Sequence, residues 1–84
     1  MQLRPHPDVV WRRLDEEVVL VHLKTNRIYS LNPTAARFWE LLSEGLDRQS
    51  LELVMLKELD VTEIQLRDEL DSLIAELSRE GLVS

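Results

Sequence analysis

The sequence contains no cysteine and only two glycines among its 84 residues. Without cysteine the chain has no disulfide, no thiolate zinc site and no cysteine nucleophile. The glycines, Gly45 and Gly81, are isolated, so there is no glycine-rich loop to hold a phosphate. No apolar run approaches the ~20 residues that span a bilayer, and no signal-peptide pattern begins the chain. We therefore expect a cytoplasmic protein with no membrane partner.

Positive charge is scarce in the last third of the chain. The formal net charge is −6 overall, and residues 60–84 alone account for −5. A surface that binds phosphates by counterion release is basic. We therefore expect no nucleic-acid partner, although Gln65 and Arg67 lie where a recognition helix would offer base contacts.

The length of 84 residues suits one small domain with one core. Residues 1–7 include two prolines and predict an extended N-terminal arm. Residues 8–84 predict a single domain, which we expect to be a monomer.

The most informative stretch runs from Arg27 to Leu42. Residues 27–31 are rich in strand-forming side chains. Asn32 then predicts a helix N-cap, with Pro33 at the first helical position, where the missing N–H costs nothing. The stretch therefore predicts a strand that turns directly into a helix.

Upstream of this stretch the pattern predicts two more strands, over residues 9–14 and 17–23. The short polar turns between them, the second containing Asn26, make neighbouring strands antiparallel. The strand order is then one, two, three, and the third strand lies at an edge of the sheet.

Downstream, three helices are predicted. The first covers residues 33–43 and ends near Gly45, and the second begins after Asp47. The third begins with a capping box of Thr62 and Gln65 and ends at Gly81. The fold class is therefore α+β: a three-stranded antiparallel meander followed by three helices, like a winged helix-turn-helix with the sheet first.

No set of residues predicts catalysis. His6 and His22 have no neighbouring nucleophile or ligand set. The carboxylates of the third helix have the spacing of a solvated face. We expect no enzyme, no cofactor and no metal.

The edge of the third strand is the strongest functional clue. No proline or glycine interrupts residues 26–31, so unpaired backbone groups can take up a peptide as a fourth strand. The predicted binding residues of this edge are Asn26, Arg27, Ile28, Tyr29, Ser30 and Leu31. On the third helix, the predicted wall consists of Arg67, Leu70, Asp71 and Ile74.

Two features of this predicted groove have alternative interpretations. Tyr29 shares a strand face with Leu31, so it either packs in the core or lines the groove. Arg67 and Asp71 either contact charges and hydroxyls of a peptide or belong to a plain solvated flank.

Several runs of residues resemble the PqqD family, whose members are the prototype of precursor-recognition domains for ribosomally made, modified peptides. The resemblance covers residues 9–83. The runs that carry it are Tyr29-x-Leu31-Asn32-Pro33-Thr34-Ala35-Ala36, Phe38-Trp39-x-Leu41-Leu42 and Leu77-x-x-x-Gly81-Leu82.

The resemblance implies a stand-alone adaptor that binds the leader segment of a precursor peptide and presents it to modifying enzymes. The leader would add beside the third strand and pack against the third helix. The favoured partners are the leader peptidase and cyclase of a lasso-peptide pathway. The alternatives are a PqqD-type chaperone for a radical S-adenosylmethionine (SAM) enzyme, and a winged-helix DNA-binding protein.

Overall fold

A computed structural model describes residues 3–84, which form three strands followed by three helices. The elements are β1 (Val9–Leu14), β2 (Glu17–His22), β3 (Arg27–Leu31), α1 (Pro33–Ser43), α2 (Arg48–Glu58) and α3 (Glu63–Arg79). The predicted α+β architecture, with the sheet before the helices, is confirmed. Within residues 3–84, no helix combines the length and apolar character needed to cross a membrane.

The sheet is an antiparallel meander with the order β1-β2-β3. In β2 and β3, Val18 lies opposite Leu31 and His22 lies opposite Arg27. The connecting turn uses Asn26 with a φ of 60°, a left-handed conformation that asparagine tolerates better than most residues. The short turn fixes the register and leaves β3 at an edge, as predicted.

Each helix begins at a side-chain cap that the sequence predicted. Asn32 and Asp47 accept a hydrogen bond from the backbone N–H three residues later, and Thr62 does so within a complete capping box with Gln65. At the end of α3, the Leu82 N–H donates to the Leu77 carbonyl, and Gly81 has a φ of 71°. This is a Schellman motif, in which glycine avoids the strain that a Cβ would add.

The helices cover one face of the sheet and enclose a single core. Strand β2 places alternate residues on this face, so Val18, Leu20 and His22 are buried. In the described part of the chain no helix covers the opposite face, and its Ile28 is 71% exposed. The largest fully buried side chains are Trp39, Phe38, Leu20, Leu51, Met55, Leu66, Leu70, Leu82 and Val18.

The chain ends pair with each other. Pro5 forms an antiparallel bridge with Val83, and Arg4 exchanges two backbone hydrogen bonds with Ser84. The rings of His6 and His22 lie 5.1 Å apart. Met1 and Gln2, the first residues of the predicted arm, lie outside the described residues.

Candidate functional site

Strand β3 has a free edge. Its other edge pairs with β2, and within residues 3–84 no further strand pairs with it. An edge strand directs alternate N–H and C=O groups away from the sheet. The free edge therefore offers backbone donors and acceptors to another chain.

A cavity of about 630 Å³ lies between β3 and the C-terminal half of α3. Tyr29 and Leu31 come from the helix-covered face of β3. Leu73 and Leu77 form the facing apolar wall. The complete lining is Ile28, Tyr29, Ser30, Leu31, Leu73, Glu76, Leu77, Arg79, Glu80 and Leu82.

A second cavity, of about 490 Å³, continues along α3 toward the start of α1. It shares Leu73 and Glu76 with the first cavity, so the two are continuous along the helix. We call the two together the β3–α3 groove. From residue 68 to residue 80 it follows α3 for ~18 Å, enough for a strand of about five or six residues. The lining of the second cavity is Asn32, Thr34, Ala35, Asp68, Glu69, Leu70, Ser72, Leu73 and Glu76.

Glu80 closes the groove at its Tyr29 end. The Tyr29 hydroxyl donates to Glu80 Oε1 at 2.8 Å, and Arg27 Nη1 donates to the same oxygen at 3.2 Å. The Tyr29 hydrogen bond, together with the nearby Arg27 charge, lowers the pKa of Glu80 below its ordinary value of 4.5. The same hydrogen bond raises the pKa of Tyr29. Tyr29 thus lies half-buried in the groove, with its hydroxyl hydrogen-bonded to Glu80.

The predicted strand residues of the site lie at the free edge. Ile28, Tyr29, Ser30 and Leu31 line the groove. Arg27 reaches the groove through Glu80, and Asn26 occupies the adjoining turn. The structure therefore places these residues beside the groove, and their part in peptide binding stays a prediction.

The predicted residues of α3 need correction, because Arg67 and Asp71 face α2 and not β3. Asp71 Oδ1 lies 2.7 Å from Arg48 Nη2 of α2. Arg67 pairs with Glu52 of α2 and with Glu63 one turn earlier. These charges interact with α2 because the packing of the helices places their flank there.

Of the other two predicted helix residues, Leu70 lines the groove and Ile74 does not. Leu70 lines the second cavity but is fully buried, so it also belongs to the core, and its part in peptide binding stays a prediction. Ile74 lines a separate cavity with Leu3, Phe38 and Leu42. Ile74 lies one residue beyond Leu73, and a step of one residue turns the helix by ~100°. That rotation carries Ile74 out of the β3–α3 groove.

Sequence reasoning missed the helix residues that do line the groove. Leu73, Glu76, Leu77 and Glu80 follow the i, i+3, i+4, i+7 spacing of one helical flank. That spacing was visible, but the sequence does not say which flank of α3 faces β3. Glu80 and Tyr29 are 51 residues apart, and no local pattern connects them.

The site has the shape of a binding groove. Within residues 3–84, no three histidine or acidic side chains are grouped so that they could hold a metal ion. The groove combines a free strand edge, an apolar wall and carboxylates. Chemically, this arrangement can pair with an extended backbone and enclose apolar side chains.

Two solved structures share this fold. One is TbiB1 in complex with the TbiA(beta) leader peptide, which is 27% identical, covers 96% of this chain and 94% of its own, and gives a TM-score of 0.93. The other is lasso peptide synthetase B1 complexed with the leader peptide, at 20% identity, with 100% and 99% covered and a TM-score of 0.89. At 20% identity the second likeness supports the fold alone.

Sequence comparison gives the family. None of the curated proteins matches this chain. The sequence profile of coenzyme PQQ synthesis protein D (PqqD), however, matches residues 17–83. This match spans the second and third strands and all three helices, which include every element of the groove. The chain therefore belongs to the PqqD family.

Proposed function

We propose that this protein binds the leader segment of a ribosomally made precursor peptide and presents it to the enzymes that modify it. The observation that carries the proposal is the free edge of β3 beside the β3–α3 groove. The leader adds to β3 as a fourth strand, and its side chains on one face enter the groove. The leader-bound state of the structural relative TbiB1 supports this proposal.

Apolar contacts decide the affinity. A main-chain hydrogen bond contributes only ~0.5–1.5 kcal/mol net, because both partners leave water to form it. A buried apolar side chain contributes ~1.5–3 kcal/mol. We therefore expect two or three leader side chains, packed against Tyr29, Leu73 and Leu77, to supply most of the binding energy, while the edge residues 26–31 fix the register.

The protein acts as an adaptor and not as an enzyme. Holding a substrate next to an enzyme raises its effective concentration without any new chemistry. The fold shared with two B1 proteins of leader-bound structures favours the leader peptidase and cyclase of a lasso-peptide pathway as partners. The PqqD family match supports the second candidate, an adaptor for a radical SAM enzyme. The cytoplasmic location and monomeric state stay predictions.

The test uses peptides that the protein selects for itself. The immobilised protein selects from a display library of random twelve-residue peptides, and the enriched peptides are synthesised with a fluorescent label. Their affinity is measured for the wild type, for Leu73→Asp and for Ile64→Asp. Leu73 lines the groove, whereas Ile64 lies on the same helix with 73% of its surface exposed. The two variants thus add the same charge at different places.

We expect the enriched peptides to bind the wild type and Ile64→Asp equally and to lose at least tenfold in affinity for Leu73→Asp. Bound peptide should also slow amide hydrogen exchange in β3, because the edge amides gain partners. Circular dichroism checks that both variants fold. Equal binding to a folded Leu73→Asp variant, or no enrichment at all, would reject the proposal.

A further inference from the structure

The carboxylates of α3 fall into two groups. On the flank that faces α2, Glu63 and Asp71 each pair with an arginine. On the flank that lines the groove, Asp68, Glu69 and Glu76 form no ion pair or hydrogen bond through their side chains within residues 3–84. The groove therefore carries three carboxylates that no group of the described chain neutralises.

These carboxylates are not evenly placed along the groove. Asp68 and Glu69 lie in the cavity beside Asn32, at the α1 end, and Glu76 lies in the middle, where the cavities join. At the other end Glu80 is already paired with Arg27, and Arg79 adds a positive charge. The groove is thus acidic at its α1 end and in its middle, and has an excess of positive charge at its Tyr29 end.

We propose that the groove selects a cationic peptide, whose lysine or arginine side chains lie toward the α1 end next to Glu69 and Glu76. This inference rests on the proposed function and adds the chemical class of the guest. An apolar segment of the peptide occupies the Tyr29 end, where Leu77 and Leu82 line the cavity. Charge and apolar contact together set the direction in which the peptide lies.

Exposed ion pairs are individually weak, so the expected effect is moderate. Two such contacts at partly exposed sites change affinity by about three- to tenfold in total. Salt screens them, since the Debye length shrinks from ~10 Å at 0.1 M to ~3 Å at 1 M. A cationic peptide should therefore lose affinity as salt rises, and a neutral one should not.

The experiment repeats the library selection with two variants of equal net charge. Glu69→Gln/Glu76→Gln removes two groove carboxylates. Glu44→Gln/Asp60→Asn removes two exposed carboxylates outside the groove, at the ends of the α1 and α2 segments. Enriched peptides are sequenced, synthesised and titrated at 50 and 500 mM NaCl. Leu73→Asp is included as the variant that blocks the groove.

For the wild type and the control, we expect lysine or arginine at a fixed distance from an apolar residue. The groove variant should bind these peptides three- to tenfold more weakly and select no basic residue. If the peptides need Leu73 but show no basic preference, or if both double variants weaken binding equally, this inference fails and the proposed function stands. If the peptides also ignore Leu73→Asp, both fail.

Discussion

The two flanks of α3 both carry carboxylates, but these carboxylates have different surroundings. The flank that faces α2 has its charges satisfied within the chain, as in the pair of Arg48 and Asp71. On the flank that faces β3, Glu69 and Glu76 have no ion-pair partner among the described residues and lie beside an open cavity and a free strand edge. One helix therefore packs against the fold on one side and lines an open groove on the other. An exposed carboxylate on α3 therefore indicates a binding site only where a cavity and a free strand edge lie beside it.

The largest expected effect is the difference between truncating a core residue of α3 and truncating a groove residue of the same helix. Leu70 is fully buried, and Leu70→Ala should lower the free energy of unfolding by ~2–5 kcal/mol. This loss is a large share of the total free energy of unfolding, which we expect to be ~5 kcal/mol for so small a domain. Leu73 is half-buried, and Leu73→Ala should cost ~1 kcal/mol or less while weakening peptide binding about tenfold. Urea unfolding and peptide titration of both variants measure the two effects.

Equal losses of stability in Leu70→Ala and Leu73→Ala would contradict this division of α3. It would mean that Leu73 contributes to the core as much as Leu70 does. An unchanged peptide affinity in Leu73→Ala, with Leu73→Asp still inactive, would place the apolar anchor elsewhere in the groove.

The fold was predictable because its signals are local. Asn32, Asp47 and Thr62 each lie within three residues of the N–H group they cap. The turn at Asn26 fixes the hairpin register in the same short-range way. The free edge of β3 follows from the order of the strands. All of these need only neighbouring residues, which the sequence displays directly.

The helix side of the site was not predictable in the same way. Arg67, Leu70, Asp71 and Ile74 share one helical flank, as their spacing implied. Helix packing turns Arg67, Asp71 and Ile74 away from β3, and only Leu70 lines the groove. Choosing a helical residue one position away from the correct one changes its direction around the helix axis by ~100°. The sequence could not supply that angle, because it depends on how α3 rests on α1 and α2 at long range.

A smaller loss of stability should follow from removing the cap of α3. Thr62→Ala leaves the Gln65 N–H without its acceptor, which lies at 3.1 Å, and should cost ~1 kcal/mol. The groove lies more than a turn away, so peptide affinity of the folded protein should stay within twofold. Thermal unfolding and peptide titration measure both. A tenfold loss of affinity would mean that the first turn of α3 also contacts the guest.

The ion pairs on the flank of α3 that faces α2 should stabilise the fold only weakly. Arg48→Gln removes the pairs with Asp71 and Glu52, which are partly exposed to solvent. We expect a loss of at most ~1 kcal/mol in the free energy of unfolding and no change in peptide affinity. Measurements at 50 and 500 mM NaCl should show the difference from wild type shrinking with salt. A loss of peptide binding would assign this flank a part in the site.

The smallest expected effect concerns the contact of Glu80 with Tyr29, which joins α3 to β3. The lowered pKa of Glu80 means that folding favours its ionised form. Its stabilising contribution is therefore complete above about pH 4.5 and is lost as pH falls through the lowered pKa. In Tyr29→Phe the hydroxyl donor is gone, so the pKa of Glu80 should rise toward 4.5, as carbon NMR of the carboxyl group would measure. Arg27 and Arg79 stay as neighbouring positive charges, so the rise should be incomplete, and Tyr29→Phe with Arg27→Gln should raise the pKa further. An unchanged pKa of Glu80 in both variants would show that Glu80 does not contact Tyr29 and Arg27. Glu80 would then not close this end of the groove.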